Sequence, residues 1–392
     1  MEPAVRIVHI LSTLQPTGIN FLLQAEADDP AFKDVTMALV VLCPEQPELR
    51  KPWTARGVEV IFCPPLPAFF EKIPSDTLRT WIKKAFRFLM PRRIRNRLLR
   101  LHPDIVHLHY LYYFREQVLA SAGGRWRLVI NLHNTYARDL LDRSGILSLL
   151  PLLQRQGCRW IAVSEAVKRH FLAFAPALSS GIQVIPNGVA PDKLRGNPGL
   201  RFSERARMRA AWGFASDAVV FGAAGRLTAQ KGFDVLLRAA GKVLAGDARA
   251  RFVIAGEGEE RSIFEKMISS GGLKDRVLLC GFVQNMSAFY AGLDVFVVSS
   301  HDEGSPLVLH EALAAGLPAV STRVGDAPEL LSDSPSCLVA PGDAEALATA
   351  LSAMISPEVR SREEAKVGLR ADFLRWDRCC QSYRRIYRQL KE

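Results

Sequence analysis

Residues 294–322 read DVFVVSSHDEGSPLVLHEALAAGLPAVST. DVFVVSS (294–300) and LPAVST (317–322) are short apolar runs with no polar alternation, and PLVLHEALAAG (306–316) between them has helical spacing. Strand, helix, strand in that form predicts a parallel sheet covered on both faces. Ser305 is a natural N-cap and Pro306 a natural first helical residue, so the helix is expected to begin at about Pro306.

The same alternation runs outward in both directions. Around the opening stretch, VVFGAAG (219–225), RFVIAG (251–256) and RVLLCGF (276–282) read as further strands, with FDVLLRAAGKVL (233–244) as a helix among them. An earlier series holds VRIVHIL (5–11), VTMALVVL (35–42), VEVIF (58–62), DIVHLH (104–109), RLVINLH (127–133), WIAVS (160–164) and IQVIP (182–186). SEAVKRHFLAF (164–174) is a helix that Ser164 would cap. Strand and helix alternating twice over predict an α/β protein with two Rossmann-like, doubly wound domains facing across a cleft. Ligands of such sheets bind at the carboxyl ends of the strands. The expected division is an N-terminal domain over 1–190, a linker region over 191–217 and a C-terminal domain over 218–370. A C-terminal helix over 371–392 follows, with a return onto the N-terminal domain open to it.

At 392 residues the chain suits two domains, or three. With 48% hydrophobic and 23% charged residues it has material for real cores. No segment has the ~18 uninterrupted apolar residues of a spanning helix. MEPAVRIVHILSTLQ carries Glu2 before its apolar run and lacks a small-residue cleavage site, so it reads as a first buried strand. Cys43, Cys63, Cys158, Cys280, Cys337, Cys379 and Cys380 are scattered with no CxxC pair, which points to no zinc site, no disulfide framework and a cytoplasmic setting. The net charge of +11 favours anionic partners.

Two segments carry chemistry. In HDEGSPLVLHEALAAGLP (301–318), Glu303 lies just beyond a strand and Glu311 a turn or more into the helix. A carboxylate accepts hydrogen bonds from paired hydroxyls, which is how proteins hold a ribose diol or a sugar ring. The N–H groups of the first helical turn can bind an anion. The competing reading is a capped surface helix with two solvated acids. In GAAGRLTAQKGFDVLL (222–237), Gly222 and Gly225 allow a tight turn, and Arg226 and Lys231 can reach a ligand. Two fixed cations would stabilise the charge on a departing nucleoside diphosphate. GxxxxGK[ST] is absent, and alone this turn is equally an exposed loop.

With these segments the chain resembles family 4 of the GT-B glycosyltransferases, most strongly from about Val219 to Asp343. The resemblance implies that Glu303 contacts hydroxyls of the donor sugar and Glu311 the ribose. It implies that Gly304, Ser305, Pro306 and Leu307 offer backbone groups to sugar and phosphate, and that Arg226 and Lys231 bind the diphosphate, with Gly225 in the same donor site. Retention of configuration, catalysis without metal or other cofactor, and domain closure are likewise implied. DIVHLH and VINLHNT (129–135) resemble the strand ends that place histidines at the cleft. His133 would lie near the reacting sugar, with His109 and Asn134 as further cleft residues, although a strand histidine is also often a satisfied core residue. His107 is read as core, and Asn187 and Gly188 of VIPNGV as turn residues. The family's Gly-Gly pair after the first strand is replaced by LQPTGINFLL (14–23), where only Gly18 stands and Pro16 and Asn20 are unusual.

LRTWIKKAFRFLMPRRIRNRLLRLH (78–102) mixes cations with Trp81, Phe86, Phe88, Met90, Leu98 and Leu99. It reads either as a helix for an anionic membrane surface, which suits a lipid-linked acceptor, or as a solvated helix face. No nucleic-acid module is visible. The expected activity is retaining transfer from a UDP- or GDP-type sugar to a glycan or lipid-linked acceptor, at the inner face of the cell membrane or free in the cytoplasm. A sugar-nucleotide epimerase or hydrolase on the same fold, or a non-catalytic membrane-binding protein, are the alternatives.

Overall fold

A computed structural model describes residues 5–14, 18–64, 76–109, 114–135, 146–178, 181–189, 194, 201–370 and 376–391, with backbone only at 18, 21, 76–87, 114, 146, 201 and 368–370. It divides into two units, Met1–Ile185 with Cys379–Glu392, and Pro186–Arg378.

The first unit is built on seven parallel strands: β1 (Val5–Leu11), β2 (Val35–Val41), β3 (Glu59–Phe62), β4 (Ile105–Leu108), β5 (Arg127–Leu132), β6 (Arg159–Ala162) and β7 (Ile182–Val184). Their order is β3-β2-β1-β4-β5-β6-β7, so the winding reverses between β1 and β4. Both faces are covered, which is why the strands read as unbroken apolar runs. Val8, Ile10, Val40, Val106, Leu108 and Ile130 join one core; Leu11, Leu39, Val41 and Trp53 join another. Side chains alternate between faces with period two. On the second face β1, β4 and β5 carry a polar stripe in which His9 pairs with His107 across the strands.

The helix Trp376–Lys391 meets this stripe: the Tyr387 hydroxyl lies 2.9 Å from His107 Nδ1, and Asn131 donates to Tyr383 at 2.8 Å. Arg384 and Arg388 of the same helix hold Asp34, each at 3.1 Å. Burial raises the Asp34 carboxyl, but the hydrogen bonds from Arg384 and Arg388 together outweigh it and hold the group below its usual value. Ser164 caps Glu165–Phe174 as expected, accepting from the Val167 N–H at 3.1 Å.

The second unit holds β8 (Val219–Ala224), β9 (Ala250–Ala255), β10 (Val277–Gly281), β11 (Val295–Val298), β12 (Ala319–Thr322) and β13 (Leu338–Val339), all parallel in the order β10-β9-β8-β11-β12-β13. The two-residue β13 was not expected, because so short a strand has no readable periodicity. Most of the other strands end a residue or more before the apolar runs do, while β1, β3 and β12 end with them.

Asp294 fastens the two central strands of this unit. One carboxylate oxygen takes the Val220 N–H at 2.7 Å and the Arg209 guanidinium at 2.6 Å, while Arg205 takes the other. Both arginines lie on Arg201–Ala211, inside the segment read as a linker. The Arg209 side chain is 4% exposed, so its charge depends on this partner. Removing one member of a buried pair costs about 3–5 kcal/mol. Asp294→Ala is therefore expected to lower the unfolding free energy of this unit by about that amount in urea denaturation. Arg205→Ala, at a more exposed arginine, should cost at most about 1 kcal/mol.

Candidate functional site

In the second sheet the winding reverses between β8 and β11, and doubly wound sheets bind their ligands outside the strand ends at such a reversal. The loop after β8 holds Gly225, Arg226 and Lys231. The segment after β11 holds Glu303, Gly304, Ser305, Pro306, Leu307 and Glu311. The expected donor residues of this unit thus converge on one reversal.

The two loops are clipped together by their backbones. The His301 N–H donates to the Gln230 carbonyl at 2.8 Å, the Gln230 amide donates to the Asp302 carbonyl at 2.9 Å, and the Ser299 hydroxyl donates to the Lys231 carbonyl at 2.9 Å. Gly232 makes that approach feasible. Its φ is +59°, and a Cβ there would lie 2.2 Å from the Ser299 carbonyl oxygen. Gly225 clears the path of Lys231, whose Cε would be 3.3 Å from a Cβ at 225. The Lys231 ammonium therefore reaches Glu303 Oε1, which also accepts from the Ser300 hydroxyl at 2.8 Å. Arg226 is exposed. One carboxylate and two cations leave these three side chains with a net positive charge.

Glu311 projects from the helix Leu307–Ala314, and one of its oxygens accepts from the Tyr290 hydroxyl at 2.7 Å. Burial raises the Glu311 carboxyl, with Tyr290 and His310 pulling the other way. Burial and the Glu311 charge push the Tyr290 hydroxyl well above its usual value, so it stays a donor.

Ser305 does not cap this helix. The cap position falls on Pro306, without a side-chain hydrogen bond, and the helix begins at Leu307. The Ser305 hydroxyl instead donates to Asp326 at 2.9 Å, because a carboxylate is within its reach. Asp326 also holds His310 Nε2 at 2.7 Å, and His310 Nδ1 faces the Asn187 carbonyl at 3.2 Å. Both ring nitrogens thus face acceptors, which suits the doubly protonated imidazolium. Burial opposes that charge, but Asp326 outweighs it, assisted by Asn187, and the His310 pKa is raised. The ring pins the Asn187 turn to the helix that carries Glu311. Gly232, Tyr290, His310 and Asp326 were all missed in the sequence. The signal for His310 was present, since it immediately precedes Glu311, but its partners come from other elements.

In the first unit, His133 and His109 lie just beyond the ends of β5 and β4. His109 Nδ1 is 3.1 Å from His133 Nε2, and His109 Nε2 is 2.8 Å from His9 Nδ1. His107 and His109 are both core-buried, and Asn134 is half-buried. Burial lowers His9 and His133 to about 3, and His107 and His109 well below the usual value, so all four imidazoles are neutral at pH 7. Gly18 opens the helix Gly18–Asp28. Asn20 has a structural use, since its buried amide donates to the Thr13 carbonyl at 3.1 Å and ties the helix to the end of β1. Pro16 lies outside the described residues.

Two doubly wound parallel sheets in one chain, the second with cations and carboxylates at its winding reversal, are the mark of a GT-B glycosyltransferase. Residues 218–356 match the family described as Glycosyl transferases group 1, and residues 47–193 match Glycosyltransferase Family 4. The chain belongs to this family. It is 36% identical over 311 residues to a D-inositol 3-phosphate glycosyltransferase of Saccharomonospora viridis, covering 73% of this chain and 70% of that one. It is 30% identical over 242 residues to the GPI3 subunit of the phosphatidylinositol N-acetylglucosaminyltransferase of Saccharomyces cerevisiae, covering 61% of this chain and 52% of that one. An uncharacterized glycosyltransferase of Methanocaldococcus jannaschii is matched over 48% of its length, so the chain spans about half the length of several curated relatives. In fold it is similar to Anabaena HepE solved with UDP-glucose, with a TM-score of 0.79 at 19% identity over 98% of this chain and 99% of that one.

Two outcomes follow for the second unit. Gly232→Ala should destabilise it by about 1–2 kcal/mol from the left-handed backbone alone, more with the clash, read as a lowered unfolding midpoint. Because the folded His310 pKa is raised, its contribution is fully present below the unfolded value of 6.5 and is lost as pH rises through the folded value. Unfolding midpoints measured upward from pH 6 should fall in the parent and stay flatter in His310→Gln.

Proposed function

We propose that this chain transfers a sugar, with retention and without a metal cofactor, from a nucleoside-diphosphate sugar to a glycan or lipid-linked acceptor. The observation that carries the reading is the clipped pair of loops that places Lys231 on Glu303 beside Gly225 and the exposed Arg226.

The chemistry follows from that placement. The bond between the anomeric carbon and the diphosphate oxygen breaks, and the diphosphate leaves with the electron pair. Lys231 and Arg226 meet the growing negative charge, where fixed cations lower the barrier. A departing diphosphate competes with Glu303 for the Lys231 ammonium, which frees the Glu303 carboxylate to accept from sugar hydroxyls. The first-turn N–H groups from Leu307 onward add dipolar attraction for the phosphates. Glu311, oriented by Tyr290, holds the ribose diol. The acceptor oxygen bonds the anomeric carbon on the face the diphosphate left, and its proton passes to a departing phosphate oxygen. His133 is assigned to the reacting sugar on the family resemblance.

Relatives support a sugar substrate, and the nucleotide in the HepE complex supports a nucleotide donor. The helix Asp76–Leu101 supports a membrane-held acceptor. It buries Met90, Ile94, Leu98 and Leu101 and exposes Phe88 at 85% and Leu89 at 46%. No helix among the described residues is long and apolar enough to cross a membrane. The expected location is therefore the periphery of an anionic membrane.

Donor binding is read first, as a rise in thermal midpoint across a panel of nucleotide sugars. With the donor so found, Lys231→Ala should lower turnover by about 10²–10³ at unchanged fold. Turnover near that of the parent would sink the assignment. Conversion of the donor alone, with no acceptor, would favour an epimerase or hydrolase instead.

A further inference from the structure

The polar stripe of the first unit has more imidazole than the transfer reaction uses. His9 and His107 are register partners on β1 and β4, and His109 follows two residues later on the same face. None of the three is more than 3% exposed.

Their contacts are unequal. The His9 and His109 rings have centroids 5.1 Å apart at 26°, and His109 and His133 5.3 Å apart at 24°. With nitrogen separations of 2.8 and 3.1 Å, these are imidazoles joined edge to edge in a hydrogen-bonded row. The row leaves His9 Nε2 and His107 Nε2 with no hydrogen-bond partner, although both are fully buried. An unsatisfied buried polar atom costs about 1–3 kcal/mol. Two side by side call for a shared ligand.

We propose that His9, His107 and His109 form a buried site for one divalent transition-metal ion, with Zn²⁺ foremost. One ring nitrogen from each lies within 4.8 Å of the others. A point equidistant from three such atoms is within about 2.8 Å of each, and metal–imidazole bonds are about 2.0–2.1 Å. Closing the site takes a shift of about 0.7 Å per ring, with a turn about χ2. Neutral imidazole is the ligating form, and burial keeps all three neutral. The set has no oxygen donor, which selects Zn²⁺, Co²⁺, Ni²⁺ or Cu²⁺ over Mg²⁺ and Ca²⁺.

The partners of these rings behave as an outer shell. Tyr387 faces His107 Nδ1 at 2.9 Å, which leaves Nε2 for the ion. His133 faces His109 Nδ1 at 3.1 Å, so the ion takes that ring's Nε2 in place of its 2.8 Å contact with His9 Nδ1. A ligating His109 must carry its proton on Nδ1 and donate it to His133 Nε2. The His133 proton is then confined to Nδ1. That tautomer also suits the Asn131 amide nitrogen, which lies 3.2 Å from His133 Nε2. The ion is held by the sheet and takes no part in the phosphate chemistry proposed above, so the two readings stand or fall separately.

The test uses the full chain, stripped with chelator and titrated with Co²⁺ at neutral pH. The expected result is the visible d–d absorption of low-coordinate Co²⁺ saturating at one ion per chain, displaced by Zn²⁺. His107→Leu should abolish the band. Tyr387→Phe, which keeps every ligand and the packing of the ring, should weaken the apparent Kd by about 10–100-fold with unchanged circular dichroism. His102→Gln, at an exposed histidine, should leave the titration as in the parent. No band at one equivalent, or a band insensitive to both His107→Leu and Tyr387→Phe, would overturn the site.

Discussion

The approach of Gly232 to the Ser299 carbonyl governs the candidate site of the second unit. Two parallel strands, β8 and β11, end side by side, and their loops could diverge into solvent. A left-handed glycine removes the one atom that would hold them apart, and three hydrogen bonds then close the gap. Only in that clipped state do Lys231 and Glu303, far apart in sequence, share a salt bridge. The charge of the site is thus a product of backbone geometry.

A second set of constraints lies behind the first. Glu311 is oriented by Tyr290 from one side, and the helix carrying it is tied through His310 to Asp326 and to the Asn187 carbonyl. Both nitrogens of this buried ring meet oxygen, which favours its protonated form against burial. The imidazoles of the first unit are the opposite case. They face one another instead of carboxylates, so burial leaves them neutral. Neutral imidazoles are poor charge stabilisers and good ligands. The same side chain thus has opposite roles in the two sheets, according to what stands within hydrogen-bonding distance.

Much of the framework was legible in the chain. Unbroken Val- and Ile-rich runs indicate strands covered on both faces, and twelve of the thirteen strands coincide with such runs. The exception, β13, is two residues long and carries no period. Ser164 was readable as a cap because its geometry is local, spanning three residues. Ser305 was misread by the same rule, because the helix starts one residue later than the pattern suggests, with Pro306 at the cap position, and Asp326, brought from another loop, orients the Ser305 hydroxyl. Asn20, read as an oddity near Gly18, ties its helix to the end of β1.

Sequence alone determined the parallel α/β character, the two-sheet organisation and the placement of the segments with Arg226, Lys231, Glu303 and Glu311 at strand ends, because period and strand-end position are properties of neighbouring residues. Only the tertiary structure decided that Lys231 meets Glu303, that Asp326 raises the His310 pKa while burial lowers that of His133, and that His9, His107 and His109 share one pocket of the sheet. Those facts depend on which residues from distant segments come within about 3 Å of one another, the range over which hydrogen bonds and buried charges act. Spacing along the chain does not encode that distance; strand order and register do.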